Sequence, residues 1–208
     1  PVVYDIIKDR HGYLWFATGN GISRYDGYKF RNYISEVNNP YAIGVGPVIQ
    51  LYVDSKARLW ALVVGSGAYR YDERLDSFIS LVKLLPGEQT LSSNNVYSMA
   101  EDKDGVFWIS TTDKGLNKID ENNGTITHVR YQPENPESIP SDKITALYID
   151  RKNDLWFSSV DKGLVRHNLE SKSYEVVVPE IPSSIELFED SFGDLWIPTL
   201  GKGVFRYV

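Results

Sequence analysis

The chain has two sets of charged residues, and three histidines, that could take part in catalysis or metal binding. Each charged set recurs once in every repeat, and we call it a column. Repeated aspartates have the side chains that calcium ligation and acid catalysis require, and one cation per repeat could line a central channel with positive charge. The aspartates are Asp9, Asp54, Asp102, Asp150 and Asp190, and the cations are Arg24, Arg70, Lys118, Arg166 and Arg206. The three histidines are His11, His128 and His167. They fall at different places relative to both columns, so they predict no metal cluster.

The composition narrows the possible functions further. The chain contains no cysteine, which excludes disulfides, zinc–thiolate sites and thiol nucleophiles. It has no ATP-binding glycine motif and no phospho-acceptor context either. We therefore expect no catalytic residue, no metal and no cofactor in this segment, which would then not be an enzyme.

The charge and hydropathy of the chain bear on its partners. The formal net charge is -6 and the cations are scattered, so no basic stripe exists for a nucleic acid. No apolar run reaches the roughly 18 residues of a membrane span. We interpret the chain as a segment of a longer protein, which would meet a membrane only through downstream segments.

Five tryptophans show that the two columns belong to one repeating unit. Each tryptophan follows a column aspartate by six residues, and a glycine comes six or seven residues later. The tryptophans are Trp15, Trp60, Trp108, Trp156 and Trp196, spaced 45, 48, 48 and 40 residues apart. A period of this length is typical of a modular array, in which each unit must stack on its neighbours to bury its apolar faces.

The third unit predicts four short strands. A strand at 96–101 leads through a tight turn to an apolar strand at 106–111, and a hairpin carrying Asn123-Gly124 joins the two later strands. The tight turn begins with Asp102 and has Gly105 at the position that favours positive φ. Asn153 can replace this glycine in the fourth unit. Ala57 breaks the pattern in the second unit, where we expect a looser turn or one of another type.

Four strands joined by short turns and repeated every 40 to 50 residues predict an all-β chain, a β-propeller of four-stranded antiparallel blades. No helical period is present. We expect residues 1–208 to form part of one propeller, with four full blades and a partial fifth. The blades are predicted at about 1–47, 48–95, 96–143, 144–183 and 184–208.

Each repeated column also has a structural interpretation. The tryptophans lie in apolar runs, which favours wedging between blades over stacking on sugars. The aspartates precede a glycine by three residues, which favours turn capping. The cations favour ion pairs or hydrogen bonds with turn carboxylates, because charges repeated in every unit usually support the fold.

The unit Asp-x-x-Gly-x-Leu-Trp-x-x-Thr, followed by Gly-Leu-x-Arg-Tyr-Asp, closely resembles the two-component regulator propeller repeat of bacterial hybrid two-component sensors. The third unit matches at eight positions: Asp102, Gly105, Trp108, Thr111, Gly115, Leu116, Lys118 and Asp120. The resemblance implies a periplasmic sensor module with seven-bladed rings, followed in the parent protein by a membrane span and a histidine kinase. It also implies a response to oligosaccharides from glycan breakdown.

The function predicted first is therefore a non-enzymatic, oligosaccharide-sensing module of a sensor that we expect to be a homodimer. Two alternatives stay open: a structural scaffold for dimerisation, and a lyase of the streptogramin-inactivating type. The lyase would need a histidine and an acid on one rim beside a metal.

We expect ligand-binding residues on the rim shared by the second-to-third turns and the blade links, because loops on one rim of a propeller usually carry the binding groups. The candidates are Asn20, Tyr41, Ser66, Asp113, Lys114, Asp161, Lys162 and Lys202.

Overall fold

A computed structural model describes residues 2–87 and 89–208, which form five antiparallel sheets in sequence order. The first four sheets are four-stranded meanders, and the fifth has three described strands. The all-β, propeller-type fold of four-stranded blades is therefore confirmed. The chain separates into two compact units, Pro1–Val96 and Tyr97–Val208. The blade boundaries and the membership of all residues in one propeller stay predictions.

The strands of the first unit form sheets 1 and 2. Sheet 1 contains β1 Val3–Lys8, β2 Leu14–Thr18, β3 Gly21–Tyr25 and β4 Phe30–Tyr33. Sheet 2 contains β5 Val48–Val53, β6 Leu59–Val63, β7 Gly67–Asp72 and β8 Ser77–Ser80, followed by helix α1, Leu81–Leu84. This helix was not expected from the sequence, since a single turn with one buried residue, Leu81, leaves no periodic pattern to detect.

The second unit contains sheets 3, 4 and 5, apart from Val96 at the start of β9. Sheet 3 contains β9 Val96–Glu101, β10 Phe107–Thr111, β11 Leu116–Asp120 and β12 Thr125–Val129. Sheet 4 contains β13 Ile144–Ile149, β14 Asp154–Ser159, β15 Gly163–Asn168 and β16 Ser173–Val178. Sheet 5 contains β17 Phe188–Glu189, β18 Leu195–Thr199 and β19 Gly203–Tyr207.

The second strand of each middle sheet is the core of that sheet. Every residue of β6, β10 and β14 is buried, as the apolar runs predict for strands covered on both faces. In β2 buried residues alternate with half-buried ones, so one face of sheet 1 is only partly covered. Trp15 and Trp60 are fully buried, Trp108 and Trp156 nearly so, and Trp196 is half-buried.

The tight first turn has the same backbone in sheet 2 as in the other four sheets, so the expectation of a looser turn at Ala57 was wrong. Ala57 adopts φ +57°, its amide donates to the Asp54 carbonyl at 2.8 Å, and the Asp54 amide donates to the Arg58 carbonyl at 3.0 Å. Gly105 has φ +76° in the equivalent turn, which is the left-handed region that glycine tolerates best. Hydrogen bonds to Asp54 therefore hold alanine in a conformation that its own preference disfavours.

The links between sheets are anchored to the core in register, as the constant spacing predicts. Ile43, Leu91 and Ile139 occupy one position of successive links, and all three are buried. In the second link, the Asn94 carbonyl accepts the Gly65 amide at 2.9 Å. In the third, the Asp142 carbonyl accepts the Gly115 amide at 2.8 Å. Each of these links therefore contacts the second-to-third turn of a sheet in its own unit.

Candidate functional site

The column aspartates bind both the turn and the tryptophan of their own unit. In the third unit, Asp102 Oδ1 accepts the amides of Asp104 and Val106, while Oδ2 accepts the Trp108 indole N–H at 3.1 Å. The same indole hydrogen bond measures 2.7 to 2.9 Å in the other four repeats. Turn capping is therefore confirmed, and the six-residue spacing has a cause that the sequence interpretation missed.

The column cations lie over the indole rings. Each cation pairs directly with the tryptophan across the second and third strands, for example Arg70 with Trp60. The distance from the cationic group to the indole centroid is 5.3 Å for Arg24 and 5.9 Å for Arg166. Such cation–π contacts contribute about 0.5–1 kcal/mol when exposed and more when desolvated. The repeated cations thus support the fold, and some also form the expected ion pairs, such as Arg206 with Asp194.

Asp76 organises a polar cluster between sheets 1 and 2. Its Oδ1 accepts the hydroxyl groups of Tyr33 at 2.6 Å and Tyr71 at 2.5 Å, and the Arg24 guanidinium at 3.2 Å. Its Oδ2 lies 2.5 Å from Arg31 Nη1. Burial alone would raise the pKa of Asp76, but the two hydroxyl groups and two guanidinium groups outweigh burial and lower it. Burial and the bond to Asp76 raise the pKa of Tyr71 to about 12.

His167 lies in an apolar stack between sheets 3 and 4. Its ring stacks on Tyr174 with centroids 4.1 Å apart and meets the Trp108 indole edge-on at 5.8 Å. Nδ1 lies 3.1 Å from the Ser173 carbonyl oxygen, which fixes a donor at that nitrogen. Burial lowers the pKa of His167. This histidine belongs to the core and is not placed for catalysis.

The eight candidate rim residues differ in exposure and in location. Asn20, Asp113, Lys114, Asp161, Lys162 and Lys202 are exposed at second-to-third turns, Ser66 is half-buried and Tyr41 is exposed. Ser66 Oγ donates to the Val45 carbonyl at 2.6 Å, and Asp161 accepts the hydroxyl groups of Ser141 and Ser159. Tyr41 lies elsewhere, beside the outer strand β8, where Ser77 donates to its carbonyl.

Tyr41 lines a cleft of about 350 Å³ that we call the edge cleft. The end of β4 and the first link form one side of this cleft, and the β7–β8 hairpin forms the other side. Its polar and aromatic lining includes Arg31, Asn32, Glu36, Asn39, Tyr41 and Asp76. Apart from Tyr41, sequence reasoning missed these residues. Arg31, Glu36 and Asp76 belong to no repeated column, and Asn39 shares its place in the link with Asn135. Ser66 lines a different cleft of about 440 Å³, where hydroxyl groups and aliphatic side chains predominate.

No group of three or more metal-ligating side chains occurs among residues 2–87 and 89–208. Among the histidines, His11 has an acidic partner, since its Nε2 lies 3.2 Å from Glu73 on an exposed surface. Arg10 binds the same carboxylate at 2.8 Å, so Glu73 is also part of an ion pair between sheets 1 and 2.

Three segments of the chain, residues 1–20, 90–113 and 138–161, match the family model described as two component regulator propeller. These three segments are therefore repeats of the two component regulator propeller type. No protein with a curated description matches it in sequence.

Solved structures with the same fold include two extracellular domains from B. thetaiotaomicron. One, named as part of a hybrid two component system, has a TM-score of 0.83 and 24% identity over 99% of this chain and 28% of that chain. The other, named as part of a one component system, has a TM-score of 0.79 and 23% identity over 98% of this chain and 29% of that chain. This chain thus spans less than a third of either domain.

A third structure with the same fold is an enzyme. Virginiamycin B lyase from Staphylococcus aureus has a TM-score of 0.68 and 16% identity, over 99% of this chain and 69% of that chain. At these identities the likeness demonstrates a shared fold, and the fold alone does not assign a function.

Proposed function

We propose that this chain is part of the periplasmic, ligand-sensing region of a two-component sensor and has no enzymatic activity of its own. The match of three segments to the two component regulator propeller model carries this proposal. The fold shared with extracellular domains of bacterial signalling systems supports it. In the described residues, no helix has the length and apolar character needed to cross a membrane.

The proposed ligand is an oligosaccharide from glycan breakdown, and its binding is transmitted to a membrane-linked histidine kinase. The parent protein is proposed to be a homodimer whose propeller rings have seven blades. The repeated aspartates, tryptophans and cations are already engaged within the fold. Ligand recognition therefore falls to residues that differ between the units.

Among the candidate residues, Tyr41 has the most suitable surroundings for a sugar. Tyr41 is 51% exposed and lines the edge cleft together with the polar residues Arg31, Asn32 and Asn39. An aromatic ring that offers an apolar face, next to a few polar groups that fix orientation, is the usual composition of a small-ligand site. We place the sugar in the edge cleft, and the exposed second-to-third turns remain secondary candidates.

Calorimetry of the intact chain against a panel of defined oligosaccharides tests this placement. Tyr41→Ala is expected to weaken the best binder at least ten-fold, equivalent to about 1.4 kcal/mol. Tyr131→Ala is the matched control, because Tyr131 is 45% exposed in the third link and does not line the edge cleft. Equal affinity of the two variants would contradict the placement, and a panel without any binder would contradict the ligand class.

A lyase activity is the second candidate, favoured by the fold shared with virginiamycin B lyase. The arrangement of histidines gives it little support, since His167 is in the core and His11 shares Glu73 with Arg10. Incubation of the chain with virginiamycin B and a panel of divalent metal ions, followed by mass spectrometry, is expected to leave the antibiotic intact. Turnover that His11→Ala abolishes would refute the non-enzymatic proposal.

A further inference from the structure

The wall of the edge cleft that carries Tyr41 is a loop held by its own hydrogen bonds, which we call the link loop (residues 36–42). Asn39 Oδ1 accepts the Tyr41 amide at 3.0 Å, and Asn39 Nδ2 donates to Glu36 Oε2 at 2.7 Å. From the β7–β8 hairpin, Ser77 Oγ donates to the Tyr41 carbonyl. These bonds hold Glu36 and Tyr41 in place without a ligand.

The third link builds the same loop with different side chains. Asn135 Oδ1 accepts the Glu137 amide at 3.0 Å, and Asn135 Nδ2 donates to Gln132 Oε1 at 3.3 Å. The Gln132 carbonyl accepts the Asn135 amide at 3.0 Å. Gln132 and Glu137 therefore occupy the places of Glu36 and Tyr41. A neutral amide at the place of Glu36 is thus compatible with this loop.

The ion pair beside the loop of the third link has uncharged equivalents in the first link. Arg130 Nη2 lies 3.2 Å from Asp142 Oδ2. Counted from the asparagine that the two loops share, Ile34 and Gly46 take the places of these two residues in the first link. The two loops have a common backbone pattern, and they differ mainly in the charges around it.

The edge cleft itself has few charged groups. Arg31 is the one cation among the residues described at its walls, and its Nη1 lies 2.5 Å from Asp76 Oδ2. Glu36 is exposed, and within the described chain its carboxylate has the Asn39 amide as its partner rather than a cation. The cleft therefore presents one cation that is already paired and one acid that no cation neutralises.

A sulfate or uronate group would gain little from these surroundings. It would compete with Asp76 for Arg31, and the Glu36 carboxylate in the same cleft would repel it. Lys83, whose ammonium group binds a carbonyl of the first link, does not line the cleft. An uncharged sugar meets neither cost. The Arg31 side chain is 54% exposed, so its remaining N–H groups can donate to sugar hydroxyl groups, while an apolar sugar face lies on Tyr41.

We propose that the edge cleft selects uncharged oligosaccharides over sulfated or uronate-bearing ones. Glu36 and the pair of Arg31 with Asp76 set this selection. The inference rests on the proposed function, because it takes the edge cleft as the sugar site. It narrows the ligand to neutral glycans and assigns to Glu36 the role of a specificity determinant.

Calorimetry of the intact chain tests the selection with neutral oligosaccharides of glucose, mannose, galactose and xylose, with sulfated derivatives of the same sugars, and with oligogalacturonates. The best neutral binder is expected to bind about ten-fold or more tightly than its sulfated derivative. Its affinity should stay within about two-fold between roughly 0.05 M and roughly 0.5 M salt, because an uncharged ligand forms no ion pair that salt could screen.

Glu36→Gln tests the residue that sets the selection. Glutamine retains an acceptor for Asn39, as Gln132 does for Asn135, but it removes the charge. The affinity for the sulfated derivative relative to the neutral sugar, measured by competition, should rise about five-fold. The control Glu137→Gln removes an acid that does not line the edge cleft, and it should leave this ratio unchanged.

The outcomes separate this inference from the proposed function. A charged sugar that binds as tightly as its neutral counterpart and is weakened by Tyr41→Ala would retain the edge cleft as the site and overturn the selection. A ratio that Glu36→Gln does not change would overturn the role of Glu36. A binder that Tyr41→Ala does not weaken would overturn the placement, and a panel without any binder would overturn the ligand class. In either of these cases this inference would be overturned as well.

Discussion

Two interfaces are formed by the same repeated residues but differ in their polar chemistry. One lies between sheets 1 and 2, and the other lies between sheets 3 and 4. In the first, Arg24 over Trp15 donates to the Asp76 carboxylate and to the Tyr71 hydroxyl group. The same carboxylate accepts the hydroxyl groups of Tyr33 and Tyr71. In the second, Lys118 lies over Trp108, and the facing group is the ring of His167, stacked on Tyr174. One interface is thus an ion-pair network, while the other is an aromatic stack with the Lys118 cation over one of its rings.

One hairpin position accounts for much of this difference. Asp76 has φ +47° at the end of the β7–β8 turn, and Lys172 has φ +59° at the same place in the β15–β16 turn. Both turns begin with a residue whose side chain accepts turn amides, Asp72 in one and Asn168 in the other. A carboxylate at this position binds the neighbouring arginines and tyrosines, whereas a lysine cannot pair with the cation of the facing sheet. The repeat therefore sets the packing, and a single turn residue sets the electrostatics.

Asp76→Asn is expected to have the largest effect on the difference in stability between the two interfaces. The amide retains an acceptor and suits positive φ, but it removes the charge that pairs with Arg24 and Arg31. Hydrogen bonds to charged groups contribute roughly 1.5–3 kcal/mol, so we expect the free energy of unfolding in urea to fall by about 2 kcal/mol. Lys172→Asn is the matched control and should change it by no more than about 0.5 kcal/mol. Equal losses in both variants would show that the carboxylate network adds no stability.

The pH dependence of stability should distinguish the two interfaces. Burial lowers the pKa of His167 below its unfolded value, so its contribution is complete above about pH 6.5 and declines as the unfolded state takes up a proton below it. Asp76 has a lowered pKa, so its contribution is present above its unfolded value near 4 and is lost as the pH falls through the folded value.

His167→Tyr, which restores the residue usual at this repeat position, separates these two effects. Unfolding midpoints of the wild type, measured from neutral pH to about pH 3, should fall with pH near the histidine value. In His167→Tyr that part of the decline should disappear, while the loss below about pH 4 remains. A decline of the same size in both proteins would assign it to other groups.

The sequence predicted the fold because a constant period determines which residues face the core. Trp15, Trp60 and their counterparts, the capping aspartates and the anchored links follow from spacing alone. The indole hydrogen bond to the aspartate was also detectable, since the six-residue distance from Asp to Trp never varies. The edge cleft was not, because Arg31, Glu36 and Asp76 belong to no repeat and meet only after the first link has folded against β8.

Ala57→Gly tests the smallest difference between the units, in the first turn of sheet 2. Four of the five equivalent turns have Gly or Asn at this position, and alanine at φ +57° sits in a region costly for a residue with a Cβ atom. Glycine should therefore raise the free energy of unfolding by about 0.5–1 kcal/mol, even though it gains entropy in the unfolded chain. Gly105→Ala, the reverse change in sheet 3, should lower it by a similar amount. If Ala57→Gly destabilises the chain, the hydrogen bonds of Asp54 and the surrounding contacts, rather than local backbone preference, determine the stability of this turn.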